Sequence, residues 1–183
     1  MPRIHMVEYA EAAGAVREAY DRVLREHGRI TNMKRTLLRS LPAFDALMTW
    51  YPMRDAVAPF LGERLTDLFA HAISAESDCL ICSTFFRRIL IENGEDPDAF
   101  SMDDREATVV EFGRCLAQPL ARVPDALYAR LARLFDEGQI VALTAFGAMM
   151  VASNIINNAL EVDLDDYLEP YRKQAAARAG EDR

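Results

Sequence analysis

The chain has 183 residues, 51% hydrophobic and 27% charged, which suits one ordinary domain with a sizeable core and a solvated surface. Its 21 basic and 29 acidic residues leave a formal charge of −8, which repels phosphate backbones. The densest basic runs, Lys34-Arg35 and Arg87-Arg88, sit among apolar residues at helical spacing, so nucleic-acid binding is disfavoured.

Helical periodicity runs through the sequence, and no alternating strand pattern bounded by hairpin turns interrupts it. The first helix is expected from Val7 to His27, with Gly28 as its C-cap. Ser40 ahead of Pro42 is a natural N-cap for a helix through Trp50, which Pro52 and Pro59 would limit or kink. Glu63 to about Ser77 forms the next helix, and after a break at Glu76-Ser77-Asp78 another runs from Cys79 to Glu92. Ser101 begins a helix reaching about Gln118, with Asp103 and Asp104 in its first turn, where the macrodipole favours negative charge. Pro124 opens a helix to Phe135, and Asp136-Glu137-Gly138 is expected to turn the chain. A helix apolar all round follows, from Ile140 past Asn154, Asn157 and Asn158, suited to the core or a subunit interface. Asp163 is the expected cap of a last helix interrupted by Pro170. No linker or repeat divides the pattern, so one all-α domain is expected over residues 1–178, with 179–183 a disordered tail.

The start, Met1-Pro2-Arg3-Ile4-His5, leads to Glu8 and Glu11 instead of an apolar leader, and the apolar stretch from Ile140 reaches its asparagines too soon to span a bilayer. Three cysteines make no secreted disulfide framework, so a cytoplasmic protein without membrane attachment is expected. Cys79 and Cys82 share one helical face, with Cys79 near the helix N-terminus, where unpaired N–H groups favour a thiolate. Two such sulfurs suit attack on an oxidised substrate followed by closure of a disulfide. They equally suit two small core residues on an apolar helix. His5, His27 and His71 are scattered and no second C-x-x-C exists, so no metal or other cofactor is expected. His71 lies four residues after Asp67, so the two can pair on one face and point at the thiols, or His71 can be a half-buried helix residue with one hydrogen bond. Ser83 and Thr84 are candidate donors near Cys82, or helix back-bonding hydroxyls. Glu76 reads by default as a solvated helix-end carboxylate and Cys115 as a structural thiol. Met149, Met150, Asn154, Asn157 and Asn158 offer a polar lining, and Trp50, Tyr51, Phe85 and Phe86 an apolar substrate wall, though core packing and backbone satisfaction explain both groups as well.

The segment Leu61-Gly62-Glu63-Arg64-Leu65-Thr66-Asp67, continued by Ser74 and by Cys79-Leu80-Ile81-Cys82, resembles the core motif of the carboxymuconolactone decarboxylase/alkylhydroperoxidase D family. In that motif a Glu near the helix start is followed seven residues on by Ser and five later by C-x-x-C. Asp103 to Thr108 and Gln139 to Thr144, with Asn154 to Asp163, are similar to its later helices. The resemblance covers nearly the whole chain. It implies an all-α fold that assembles through helices into dimers, trimers or hexamers, and thiol-dependent reduction of hydroperoxides regenerated by a disulfide-exchange reductant. It further implies that Cys82 attacks, Cys79 resolves, and a Glu and a His relay protons. Those relay positions are Asp67 and Phe86 here, and a further His of some members is Ile81. Asp67 keeps the carboxylate with a shorter reach, while Phe86 cannot move a proton, a loss on the order of 10²–10⁴ in rate for a general base. Two other functions stay open: a lactone-processing decarboxylase, the family's other activity, and a non-catalytic protein that kept the fold.

Overall fold

The computed structural model describes residues 2–173, and the expected tail at 179–183 lies outside them. Nine helices follow one another among these residues, with no strand: α1 (Gly14–His27), α2 (Asn32–Leu37), α3 (Leu41–Met48), α4 (Trp50–Leu61), α5 (Glu63–Glu76), α6 (Leu80–Glu92), α7 (Asp104–Ala117), α8 (Asp125–Leu134) and α9 (Glu137–Leu160). A short 3₁₀ segment, Asp166–Tyr171, closes the described chain.

Local chemistry accounts for most boundaries. Gly14 has φ +52, a left-handed conformation that stops a helix from running back to Val7. The Val7 backbone N–H instead donates to the Arg35 carbonyl at 3.1 Å, tying the start of the chain to α2. Helix α2 has six residues, too few for periodicity to announce it, and Thr31 caps it by accepting from the Lys34 N–H. Pro59 is accommodated inside α4. Because Asp55 and Pro59 are both exposed, the carbonyl that loses its donor lies on the solvent side. The expected turn at Asp136-Glu137-Gly138 is corrected to a cap: Asp136 and Gln139 exchange reciprocal bonds, and α9 starts at Glu137. Asp103 and Glu106 do the same for α7, which therefore begins three residues later than expected. Asp163 is not the cap of the last segment, which is 3₁₀ and preceded by Asp165.

Helix α5 is the centre, packed against α4, α6, α7 and α9. Phe69 on α5 is fully buried, its ring 6.2 Å from Phe112 of α7 and 6.1 Å from Phe146 of α9. The helices approach this closely because two glycines face the ring. A Cβ at Gly113 would come within 2.9 Å of Phe69, and one at Gly147 would overlap Leu116. A second cluster, around Tyr20, Val23, Leu38 and Phe44, joins α1, α2 and α3, with Ile156 of α9 packed against it. By length and composition α9 could cross a membrane; here it packs on α3 to α8. Its outer side leaves Val141 and Ile155 more than half exposed.

Candidate active site

The two cysteines are positioned by the end of α5. Ser74 is fully buried; its hydroxyl donates to the Ala70 carbonyl at 2.8 Å, and its own carbonyl accepts the Cys79 N–H at 3.0 Å. Asp78 takes a left-handed φ of 48, a conformation its short polar side chain tolerates, and swings the chain into α6. Cys79 thus becomes the N-cap of α6 instead of its first helical residue, and Cys82 lies one turn in. Asn158 Nδ2 donates to the Ser77 carbonyl at 2.9 Å, fastening α9 to this turn.

Both thiols are free and buried, with Cys79 1% and Cys82 8% exposed. Between them stands Asn157 of α9, whose Nδ2 donates to Cys82 Sγ at 3.2 Å and reaches Cys79 Sγ at 3.8 Å. The thiols also interact with each other. Donation from Cys82 is the main reason that Cys79 falls to about 7, helped by the Cys82 and Ile81 backbone N–H groups and Asn157 and opposed by burial. Cys82 is pushed well up by that same bond, by burial and by the charge of Cys79. The first proton therefore leaves the pair more easily than the second. Asn157 Oδ1 and both amide atoms of Asn154, one turn earlier, have no partner among the described residues.

Cys82 opens on a pocket of about 720 Å³, counting its mouth. Trp50, Tyr51, Phe85 and Phe86 all line it, as does Met150. The Trp50 indole N–H donates to Met150 Sδ at 2.8 Å, which holds this wall against α9. At the polar end lies Lys34, a cation only 8% exposed. Its Nζ donates to the Tyr51 hydroxyl at 2.7 Å, and burial lowers the ammonium to about 8. Asp165 lies on the same pocket with one oxygen accepting the Asn32 N–H at 2.9 Å and the other unpartnered.

Among the described residues neither Asp67 nor His71 hydrogen-bonds to a sulfur or lines the Cys82 pocket. Asp67 is buried on α5 and feels Arg54 and Glu63, and burial pushes it up to about 6. His71 faces a different pocket, with Phe100 at 5.9 Å and Arg114 and Lys173 nearby, and burial holds it down at about 4. No hydrogen bond joins the two among the described residues, and the shift of each is accounted for by burial and by other charged neighbours. Ser83 donates back to the Leu80 carbonyl at 3.3 Å. Thr84 is buried, Glu76 accepts from Gln118, and Cys115 is partly buried and raised chiefly by burial. Among the described residues no group of three or more His, Cys, Asp or Glu side chains could hold a metal. Lys34 and Asp165 went unseen as site residues in the sequence, where one is part of a basic run and the other part of an acidic stretch; Asn157 stood only among several candidate lining residues.

No protein-family model matches the chain, and no curated protein matches its sequence. Solved structures do. An uncharacterised peroxidase-related protein from Ralstonia eutropha JMP134, described as an alkylhydroperoxidase AhpD core, superposes with TM-score 0.74 at 19% identity, over 91% of this chain and 94% of that one. The debrominase Bmp8, crystallised as a cysteine-to-alanine variant with 2,3,4-tribromopyrrole, superposes with TM-score 0.76 at 14% identity, over 92% and 94%. A peroxidase-related protein from Silicibacter sp. TM1040 gives TM-score 0.72 at 13% identity, over 93% and 98%. At these identities the likeness is one of fold: the chain has the all-α AhpD-like fold over nearly its whole described length.

Proposed function

We propose that this protein is a dithiol reductase that passes two electrons from Cys79 and Cys82 to a hydroperoxide. The supporting observation is the free thiol pair at the start of α6, held by the Asn157 amide, with Cys82 open to an aromatic pocket. In the proposed cycle the Cys82 sulfur attacks the hydroperoxide: an S–O bond forms, the O–O bond breaks, and the alkoxide leaves and takes up a proton. Cys79 then attacks the resulting sulfenic acid, forms the disulfide and releases water. An external dithiol returns two electrons and two protons to the pair.

Access favours Cys82 as the attacking sulfur, because Cys79 does not line the pocket. Cys82 donates to Cys79, so passage of that proton to Cys79 would leave the thiolate on the sulfur that faces the pocket, where Phe86 stands in place of a histidine. The more basic thiolate is also the stronger nucleophile once formed. Cumene hydroperoxide should convert the pair to one intramolecular disulfide, visible by mass spectrometry. Cys79→Ser should leave a sulfenic acid trappable at Cys82, and undiminished turnover in Cys82→Ser would sink the reading.

The same pair could reduce a carbon–bromine bond: the C–Br bond breaks and bromide leaves, the ring carbon takes up one thiol proton, the other is released, and the two sulfurs close a disulfide. This second reading is favoured by the apolar aromatic wall and by the fold shared with a debrominase. Bromide release from a bromopyrrole, without any response to hydroperoxide, would select it. Self-association is part of the proposal as well, with the exposed side of α9 around Val141 and Ile155 as its surface.

A further inference from the structure

We infer that the Lys34 end of the Cys82 pocket is a recognition site for a carboxylate head group, so that the preferred substrate is an amphiphile with an apolar body and one anionic end. This rests on the proposal that substrate reaches Cys82 through this pocket.

Lys34 is about nine-tenths buried, yet no carboxylate lies within ion-pair distance of its Nζ among the described residues. Among the described residues its hydrogen-bond partner is the hydroxyl of Tyr51, whose ring centroid lies 4.9 Å from Nζ, and an ammonium has three protons to donate. A buried cation in that state is costly unless an anion completes it. Among the residues that line the pocket Asp165 is the one carboxylate. Met33, Leu47, Met48, Trp50, Phe85 and Phe86 line the same pocket as the lysine and Cys82 and supply its apolar wall. A molecule that fills it would lay its body on these side chains and bring its head to Lys34 and Tyr51.

The charged and titratable groups around Lys34 come from three sides. Tyr51 projects from α4, Glu26 and His27 come from the end of α1, and Asp165 and Tyr167 come from the C-terminal segment. Glu26 and Asp165 act on the ammonium through space without touching it. Asp165 is the decisive neighbour, because its unpartnered oxygen lies on the same pocket. It supplies counter-charge when the pocket is empty and opposes a second carboxylate when it is filled. The arrangement therefore makes two predictions of opposite sign: removing the lysine charge weakens binding of an anion, and removing the aspartate charge strengthens it.

Trp50 is the single tryptophan and lines the pocket, so its fluorescence reports occupancy directly. The probes are octanoate and 1-octanol, which differ only at the head. Wild-type protein should bind octanoate roughly tenfold or more tightly than octanol, as expected for a hydrogen bond to a charged donor. In Lys34→Met the preference should collapse, and in Asp165→Asn, which keeps the acceptor for the Asn32 N–H, it should grow. Octanoate should also slow alkylation of Cys82 by iodoacetamide. Equal binding of the two probes by the wild type, or an octanoate preference unchanged in both variants, overturns the inference. Oxidation of the pair by hydrogen peroxide, which has no head group, reports on the proposed reductase activity alone, so either idea can fail without the other.

Discussion

Asp67 and His71 are four residues apart on α5, and burial moves them in opposite directions. For Asp67, raised from 3.8 to about 6, the native state binds more protons than the unfolded state across that window, so stability falls as pH rises through it. For His71, lowered from 6.5 to about 4, the unfolded state binds more protons, so stability rises with pH and is complete above 6.5. The two contributions offset each other near pH 5, and at neutral pH only the cost of the buried Asp67 carboxylate remains. Asp67→Asn should therefore raise stability at pH 8 by about 1–3 kcal/mol and change it little at pH 4, as followed by urea unfolding. His71→Gln should flatten the acid side of the profile instead. A loss of stability at pH 8 in Asp67→Asn would mean that the charged carboxylate has a partner that compensates its burial. The shared helical face of this pair is legible from spacing. What that face looks at is not, because both residues are turned by the packing of α5 against its neighbours.

At the scale of elements, α5, α7 and α9 meet around Phe69, with Gly113 and Gly147 set against its ring. An alanine in place of an interior helical glycine ordinarily stabilises by about 0.8–1 kcal/mol. At Gly147 the added methyl meets Leu116 and Phe69, so Gly147→Ala should instead cost about 1–3 kcal/mol, read as a lower denaturation midpoint. A gain in stability would show that α9 can slide on α7. Because α9 carries Asn157, the same substitution should also slow alkylation of the thiol pair. The longer helices are legible in the sequence because their apolar spacing repeats over several turns. Their ends are less so. Gly14 was hidden within an apparently continuous pattern, and the acidic turn before α9 proved to be its cap, since only the reciprocal Asp136–Gln139 bonds distinguish the two.

For the whole molecule, α9 is both the inner support of the site and an outer surface. Val141 is 67% and Ile155 59% exposed on a helix that carries no basic or acidic residue between Glu137 and Glu161. Such a face is expected to be covered in an assembly. Light scattering after size exclusion should give a mass of at least two chains, and Val141→Glu combined with Ile155→Glu should reduce it to one. Retention of the assembly in that double variant would move the interface elsewhere. Trp50 fluorescence and alkylation of Cys82 should survive the change, because neither Val141 nor Ile155 lines the pocket.

The sequence by itself determined the helical class and the thiol pair at the start of a helix. Each of these depends on residues close together in the chain, where 3.6-residue periodicity and capping chemistry decide geometry. Only the tertiary structure decided which groups reach the sulfurs and which do not. Asn157 lies 75 residues from Cys82 and meets it across a helix interface, while Lys34 and Asp165 come from separate segments to one end of the pocket. His71, much nearer in the chain, turns to Phe100 instead. Contacts between helices follow crossing angle and register, and here those are set by small residues such as Gly113 and Gly147 against one large ring, Phe69.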